Sequence, residues 1–118
     1  MDDIFRITLL LDFYGQLIPD RQLEIMNLHY NEDFTLAEIA EQFNISRQGV
    51  FDYIKKARTE LEIFEDKLGL IKKYEESKFK LEDAVNALKA VNIQNMTPDD
   101  SDRLLLAVKI VTDIIKDL

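Results

Sequence analysis

Thr35-Leu-Ala-Glu-Ile-Ala-Glu-Gln-Phe-Asn-Ile-Ser-Arg-Gln-Gly-Val-Phe-Asp-Tyr-Ile-Lys-Lys-Ala57 decides how this 118-residue chain is read. Thr35 is an N-cap residue, and Glu38 can reach back to its amide, which makes a capping box and starts a short helix. Asn44 ends that helix, because asparagine tolerates the left-handed backbone that a tight turn needs. Ser46 caps the next helix. Two helices that cross steeply need a small residue at the crossing and apolar ones around it. Ala40 supplies the small contact, Ile39 and Phe43 face Val50, Tyr53 and Ile54, and Ile45 plugs the turn. The stretch has the form of a helix-turn-helix, with Asn44 standing where glycine is commoner.

Apolar residues recur at helical spacing through most of the remaining chain, with only three glycines and two prolines to interrupt them. A first helix, capped by Asp2 or Asp3, is expected to run to about Ile18. Its Ile4, Phe5, Leu9, Leu10, Phe13, Tyr14 and Leu17 cover enough of the circumference to predict burial on more than one side. Pro19 and Asp20 punctuate the chain. A second helix from about Asp20 to His29 places Leu23, Met26 and Leu28 in the core, and an acidic loop follows from Tyr30 to Phe34. The helix that begins at Ser46 is long. Val50, Ile54, Ala57, Leu61, Phe64 and Leu68 form a heptad seam that fits packing on the first and fifth helices or a dimer contact. Gly69 stops this helix. A fifth helix, about Leu70 to Val91, carries Tyr74, Lys78, Leu81, Val85 and Leu88. After a loop over Asn92–Met96, Thr97-Pro98-Asp99-Asp100 starts a last helix. Its Leu104, Leu105, Leu106, Val108, Ile110, Val111, Ile114 and Ile115 lie on too many faces for a solvated tail. They need cover from the monomer or from a partner. The expected fold is all-α, with a helix-turn-helix domain over residues 1–70 and a helical extension over 71–118 that packs or dimerises.

Composition narrows the function. Cysteine is absent, which excludes disulfides, a thiol nucleophile and a Cys-type zinc site and fits a cytoplasmic location. The acidic Met-Asp-Asp start does not resemble a signal peptide, and Arg6, Thr8 and Asp12 interrupt the first apolar run, so no membrane span is expected. The net charge is −8, the opposite of a nucleic-acid-binding balance. The charge is uneven, however. Residues 1–34 carry a net −5, residues 59–80 a net −1 and residues 81–118 a net −3, whereas residues 35–58 carry +1. The motif is the one stretch that is not acidic, so a single copy should bind phosphate weakly and in a salt-sensitive way.

By the geometry of the motif, Ser46, Arg47, Gln48, Phe51, Asp52 and Lys55 form the outward face of the second helix. Arg47 has the fork that pairs with guanine, and Gln48 the carboxamide that pairs with adenine. Ser46 and the amides at the helix start suit a phosphate. Lys55, Lys56 and Arg58 suit flanking phosphates, and Thr35 suits one at the leading helix. Two residues oppose plain DNA reading. Phe51 fits a thymine methyl but equally anchors a protein contact. Asp52 repels phosphate unless it accepts from a cytosine.

These residues also resemble a known family. The chain is similar to the YlxM-like proteins, bacterial helix-turn-helix regulators, in Leu11-Asp12-Phe13-Tyr14-Gly15, in Arg21-Gln22 and in Tyr30-Asn31-Glu32-Asp33. The likeness continues through Thr35-Leu36-Ala37-Glu38-Ile39-Ala40 and is tightest in Ser46-Arg47-Gln48-Gly49-Val50-Phe51-Asp52. Leu61-Glu62 and Glu65-Asp66-Lys67-Leu68 extend it. It covers about residues 9–70, and residues 75–118 match poorly. The resemblance implies a domain like region 4 of bacterial sigma factors and no catalytic residues. It also implies, through genomic association, a role around the signal recognition particle. Two functions are therefore expected as alternatives: a DNA-binding regulator, or an adaptor that contacts the particle's protein or RNA.

Other constellations are weaker. His29 has no evident catalytic partner and is expected to be structural. Glu32-Asp33 lacks an EF-hand pattern, and helix capping explains Asp99-Asp100-Asp102, so no metal is expected. No phosphate-cradling glycine loop is present. The expectation is a non-enzymatic protein without cofactor. It is expected to work as a homodimer, because such motifs gain affinity from two half-sites.

Overall fold

The computed structural model describes residues 3–118, and every regular element among them is helical. These are α1 (Asp3–Tyr14), a 3₁₀ turn (Gly15–Leu17), α2 (Asp20–Tyr30), α3 (Leu36–Phe43), α4 (Arg47–Leu68), α5 (Leu70–Lys89) and α6 (Pro98–Asp117). The protein is all-α. It divides into two compact units, Met1–Ile71 and Lys72–Leu118.

In the first unit α4 is the central helix, packed on α1, α2 and α3. Val50, Ile54, Ala57 and Leu61 of α4 are buried, as the heptad seam predicts. The seam then departs from expectation. Leu68 is 55% exposed, and the next core position after Leu61 is Glu65, only 8% exposed. A straight helix of 3.6 residues per turn drifts against a 3.5-residue repeat, so a step of four brings Glu65 inward. α1 supplies Ile7, Leu10, Leu11 and Tyr14, the i, i+3, i+4, i+7 stripe of one helix face. Ile4, Phe5, Phe13 and Leu17 are exposed, which corrects the expected burial on several sides. The helices packed on α1 reach one face only. α1 is also shorter than expected. It ends at Tyr14 and passes into the 3₁₀ turn, where Gly15 approaches α2 so closely that a Cβ would lie 3.0 Å from Leu23 Cδ1.

The buried Glu65 has a defined task. Tyr14 Oη donates to Glu65 Oε1 at 2.5 Å and accepts from the Leu70 amide at 3.0 Å. The same Glu65 oxygen accepts from the Ile71 amide at 3.0 Å. Between α4 and α5 the chain turns at Gly69, with φ 62°. The first amides of α5 would otherwise be orphan donors; here α1 and α4 supply their acceptors. Burial pushes the Tyr14 phenol above its ordinary range, and the hydrogen bond to Glu65 adds to that shift. The expected Asp2 cap lies outside the described residues. Asp3 is the first residue of α1, and its carboxylate meets Arg58.

Arg6 of α1 grips Glu62 of α4 through two parallel hydrogen bonds of 2.8 and 2.7 Å. The Arg6 bond holds the Glu62 carboxyl below its usual range, against the opposing effect of burial. A carboxyl depressed on folding stabilises the protein above its unfolded pKa and loses that contribution as pH falls through the folded value. Both side chains are more than a third exposed, so the pair contributes only about 0.5 kcal/mol. Glu62→Gln is expected to flatten the acid limb of the stability profile below about pH 4.5 while leaving the alkaline limb unchanged, as measured by urea unfolding across pH.

The second unit holds the rest of α5 and α6. Val85 is its buried apolar residue on α5, with Tyr74, Lys78, Leu81 and Leu88 partly covered along the predicted seam. Thr97 caps α6 by accepting from the Asp100 amide, and Pro98 occupies the first turn. Leu104, Val108, Val111 and Ile115 are partly covered, but no residue of α6 is buried.

Candidate nucleic-acid interface

The turn between α3 and α4 is built as its sequence dictates. Thr35 Oγ1 accepts from the Glu38 amide and Glu38 Oε1 accepts from the Thr35 amide, both at 3.1 Å, which completes the capping box. Asn44 is left-handed, with φ 54° and ψ 46°. Ile39, Ala40 and Val50 are buried at the crossing, and Phe43, Ile45 and Tyr53 pack against the same core. An l-residue with a Cβ and no local side-chain bond pays roughly 1–2 kcal/mol in this region. Asn44→Ala is therefore expected to cost about 1 kcal/mol and Asn44→Gly close to nothing, as read from the urea midpoint.

One element of this turn was not visible in the motif. The Arg21 guanidinium of α2 lies 5.4 Å from the centre of the Phe43 ring and 5.6 Å from that of Tyr53. It also donates to the Phe43 carbonyl at 3.4 Å. Arg21 thus sets a cation at the negative end of α3 and ties α2 to both helices of the motif. Its neighbour Gln22 is buried, also unforeseen, and its Oε1 accepts no hydrogen bond among the described residues. Only folding brings α2 alongside, so neither role had a signal in residue spacing.

The outward residues of α4 lie where the motif geometry puts them. Ser46 Oγ accepts from the Gly49 amide at 2.9 Å and caps the helix. A Cβ on residue 49 would sit 3.2 Å from that oxygen and crowd the cap. No acidic residue stands in the first turn of α4, so the amides of Arg47 and Gln48 face outward without a competing carboxylate. The start of α3 differs. There Glu38 already occupies the Thr35 amide, and that bond lowers the Glu38 carboxyl below its usual range. A phosphate at Thr35 has to displace it.

Arg47, Lys55 and Lys56 are exposed, with no ion pair among the described residues. Phe51 is 48% exposed on the same side. Gln48 Nε2 donates to Asp52 Oδ1 at 3.0 Å. Arg58, expected at a flanking phosphate, is engaged elsewhere. Its guanidinium meets both Asp3 carboxylate oxygens at 2.9 and 3.0 Å. It also adjoins Tyr30, whose phenol burial raises above its ordinary range. A shallow hollow of about 280 Å³ joins Phe51, Ile54, Lys55, Arg58 and Thr59. His29 Nδ1 is 2.9 Å from the Phe34 carbonyl, a bond within the α2–α3 connection. Among the described residues no three His, Asp or Glu side chains gather as a metal-binding set. No helix among them is long and apolar enough to cross a membrane.

A buried two-helix crossing, a left-handed turn and a capped helix with outward polar groups define a helix-turn-helix protein. Comparison with known families agrees. Residues 1–99 match the model of the UPF0122 family, described as "Putative helix-turn-helix protein, YlxM / p13 like". The chain belongs to that family. A UPF0122 protein of Acetivibrio thermocellus is 41% identical over 116 residues, covering 98% of this chain and 99% of the relative. One from Thermoanaerobacter sp. strain X514 is 38% identical over 117 residues, covering 99% and 94%. One from Caldanaerobacter subterraneus is 51% identical over 81 residues, 69% of each chain. The likeness therefore extends beyond residues 9–70. α5 has only a common apolar repeat, which carries little family signal.

Proposed function

We propose that this protein is a non-enzymatic, cytoplasmic regulator that binds duplex DNA through α4. The observation that carries the reading is the start of α4. Open amides, a free Arg47 and the Gln48 carboxamide face outward together, in the least acidic stretch of the chain. Arg47 and Gln48 read bases, Ser46 and the adjoining amides hold a phosphate, and Lys55 and Lys56 add phosphate contacts. Thr35 and Arg58 contribute only where DNA displaces Glu38 and Asp3. The protein acts as a homodimer through α6, whose Leu106, Ile110 and Ile114 form an exposed ridge at i, i+4 spacing. A second copy is the occupant that suits this ridge. One acidic chain of net −8 binds weakly, and two linked copies read two half-sites. The regulated process lies in or around the signal recognition particle pathway, as the family resemblance implies.

The test is selection from a random duplex pool, with a random RNA pool in parallel. A conserved half-site is expected from the duplex pool. Arg47→Ala should weaken binding to it about tenfold or more and relax preference at one base pair. Lys56→Ala should weaken all sequences alike and lower the salt slope by about one. If both variants bind every sequence as the wild type does, α4 is not the reading helix.

The exposed Phe51 favours one second reading, an adaptor that contacts the protein or RNA of the signal recognition particle. A salt-tolerant complex lost in Phe51→Ala, with no duplex selected, supports it.

A further inference from the structure

The hydrogen bond between Gln48 and Asp52 changes what Asp52 does. A glutamine reads adenine with both ends of its carboxamide: Oε1 accepts from the adenine N6 amine and an Nε2–H donates to N7. An unrestrained exposed carboxamide flips freely and presents either end to either partner. Asp52 stands one helical turn after Gln48, where i and i+4 side chains meet. A carboxylate only accepts, so Asp52 bonds the amine end of Gln48 and rejects the flipped orientation. One Nε2–H is used on Asp52 at 3.0 Å, which leaves the second Nε2–H and the whole of Oε1 for a base. That remainder is one donor beside one acceptor, the pattern complementary to the major-groove edge of adenine.

We propose that Asp52 is a positioning residue that fixes the Gln48 carboxamide to demand adenine at one position of each half-site. The inference rests on the reading that α4 enters a duplex groove. Asp52 is on this reading an aid to base reading and not only an obstacle to phosphate. The carboxylate lowers general phosphate affinity and raises discrimination at one base pair, so it exchanges affinity for specificity.

Titration of the selected duplex, and of the same duplex with the adenine position replaced by each other base, tests this. The proteins are wild type, Gln48→Ala, Asp52→Ala, Asp52→Asn and the Gln48→Ala/Asp52→Ala double variant. Both sites are exposed, so unchanged thermal midpoints are expected throughout. Wild type should lose about tenfold or more when adenine is replaced. Asp52→Ala should bind non-cognate duplex more tightly yet discriminate several-fold less at that position. Asp52→Asn, which keeps an acceptor without the charge, should recover part of the discrimination. The double variant should discriminate no less than Gln48→Ala alone, because the two residues act as one unit. If Asp52→Ala strengthens all sequences equally and leaves adenine discrimination intact, Asp52 is only a surface charge and the inference fails. The DNA reading survives in that case, through the Arg47→Ala result. If the duplex pool yields no preferred site, or only the RNA pool does, the DNA reading and the inference both fall.

Discussion

Tyr14→Phe is expected to lower the unfolding free energy by about 3 kcal/mol. Tyr14 is fully buried, and its hydroxyl both donates to Glu65 and accepts from the Leu70 amide. Its removal takes a donor from a carboxylate that is only 8% exposed and leaves a helix-start amide without its acceptor. A hydrogen bond to a carboxylate is worth about 1.5–3 kcal/mol, and the part-buried Leu70 amide, left without its acceptor, adds a smaller cost. Urea unfolding followed by circular dichroism measures the loss. The pH dependence gives a second check. The folded pKa of Tyr14 lies above its ordinary value of 10.0. The neutral phenol therefore stabilises the fold fully below pH 10, and this contribution is lost as pH rises through the folded value. Wild type should lose stability on that alkaline limb, and Tyr14→Phe should lose less. Tyr30, shifted in the same direction, keeps part of the slope in both proteins. An equal alkaline slope in the two proteins, or a loss below 1 kcal/mol, contradicts the role given to this hydroxyl.

Leu106→Asp combined with Ile110→Asp is expected to make the protein monomeric and to reduce affinity for a two-half-site duplex on the order of a hundredfold. Both side chains are more than half exposed in the single chain, at 56% and 51%. The change therefore removes no buried contact of the monomer, and the helical content should stay as it is. Affinity for one isolated half-site should also stay unchanged, because α4 is untouched. That separates lost linkage from lost folding. Sedimentation velocity reads the mass, and titrations of one- and two-site duplexes read the affinities. A wild-type protein that sediments as a monomer at micromolar concentration refutes the dimer. A dimer that survives both aspartates shows that the copies meet elsewhere.

The turn was legible in the chain because local rules decide it. Thr35, Glu38, Asn44 and Ser46 each satisfy a backbone requirement within four residues of themselves, and all four behave as read. Gly69 and Thr97-Pro98 are of the same kind. Periodicity likewise identified Val50, Ile54, Ala57 and Leu61 as core. It failed where several apolar residues competed for one face. On α1 it favoured Phe5 and passed over Ile7, which is the buried one, since only the neighbours' positions decide which side is covered. On α4 it favoured Leu68 over Glu65, because spacing cannot foresee a carboxylate drawn inward by the Tyr14 hydroxyl and the Ile71 amide.

The candidate site shows the same division. The residue types at Arg47, Gln48, Phe51 and Asp52, and their common face, follow from sequence spacing. Their couplings do not. The bond from Gln48 to Asp52 is a choice among side-chain rotamers, and the ion pair from Arg58 to Asp3 spans 55 residues of chain. By itself the sequence determined the helices, their caps and the motif, because these depend on interactions within a turn or two of the backbone. Tertiary structure alone decided which apolar face is buried, which charges are already paired and which carboxylate turns inward. Those outcomes depend on groups distant in sequence arriving at the same place.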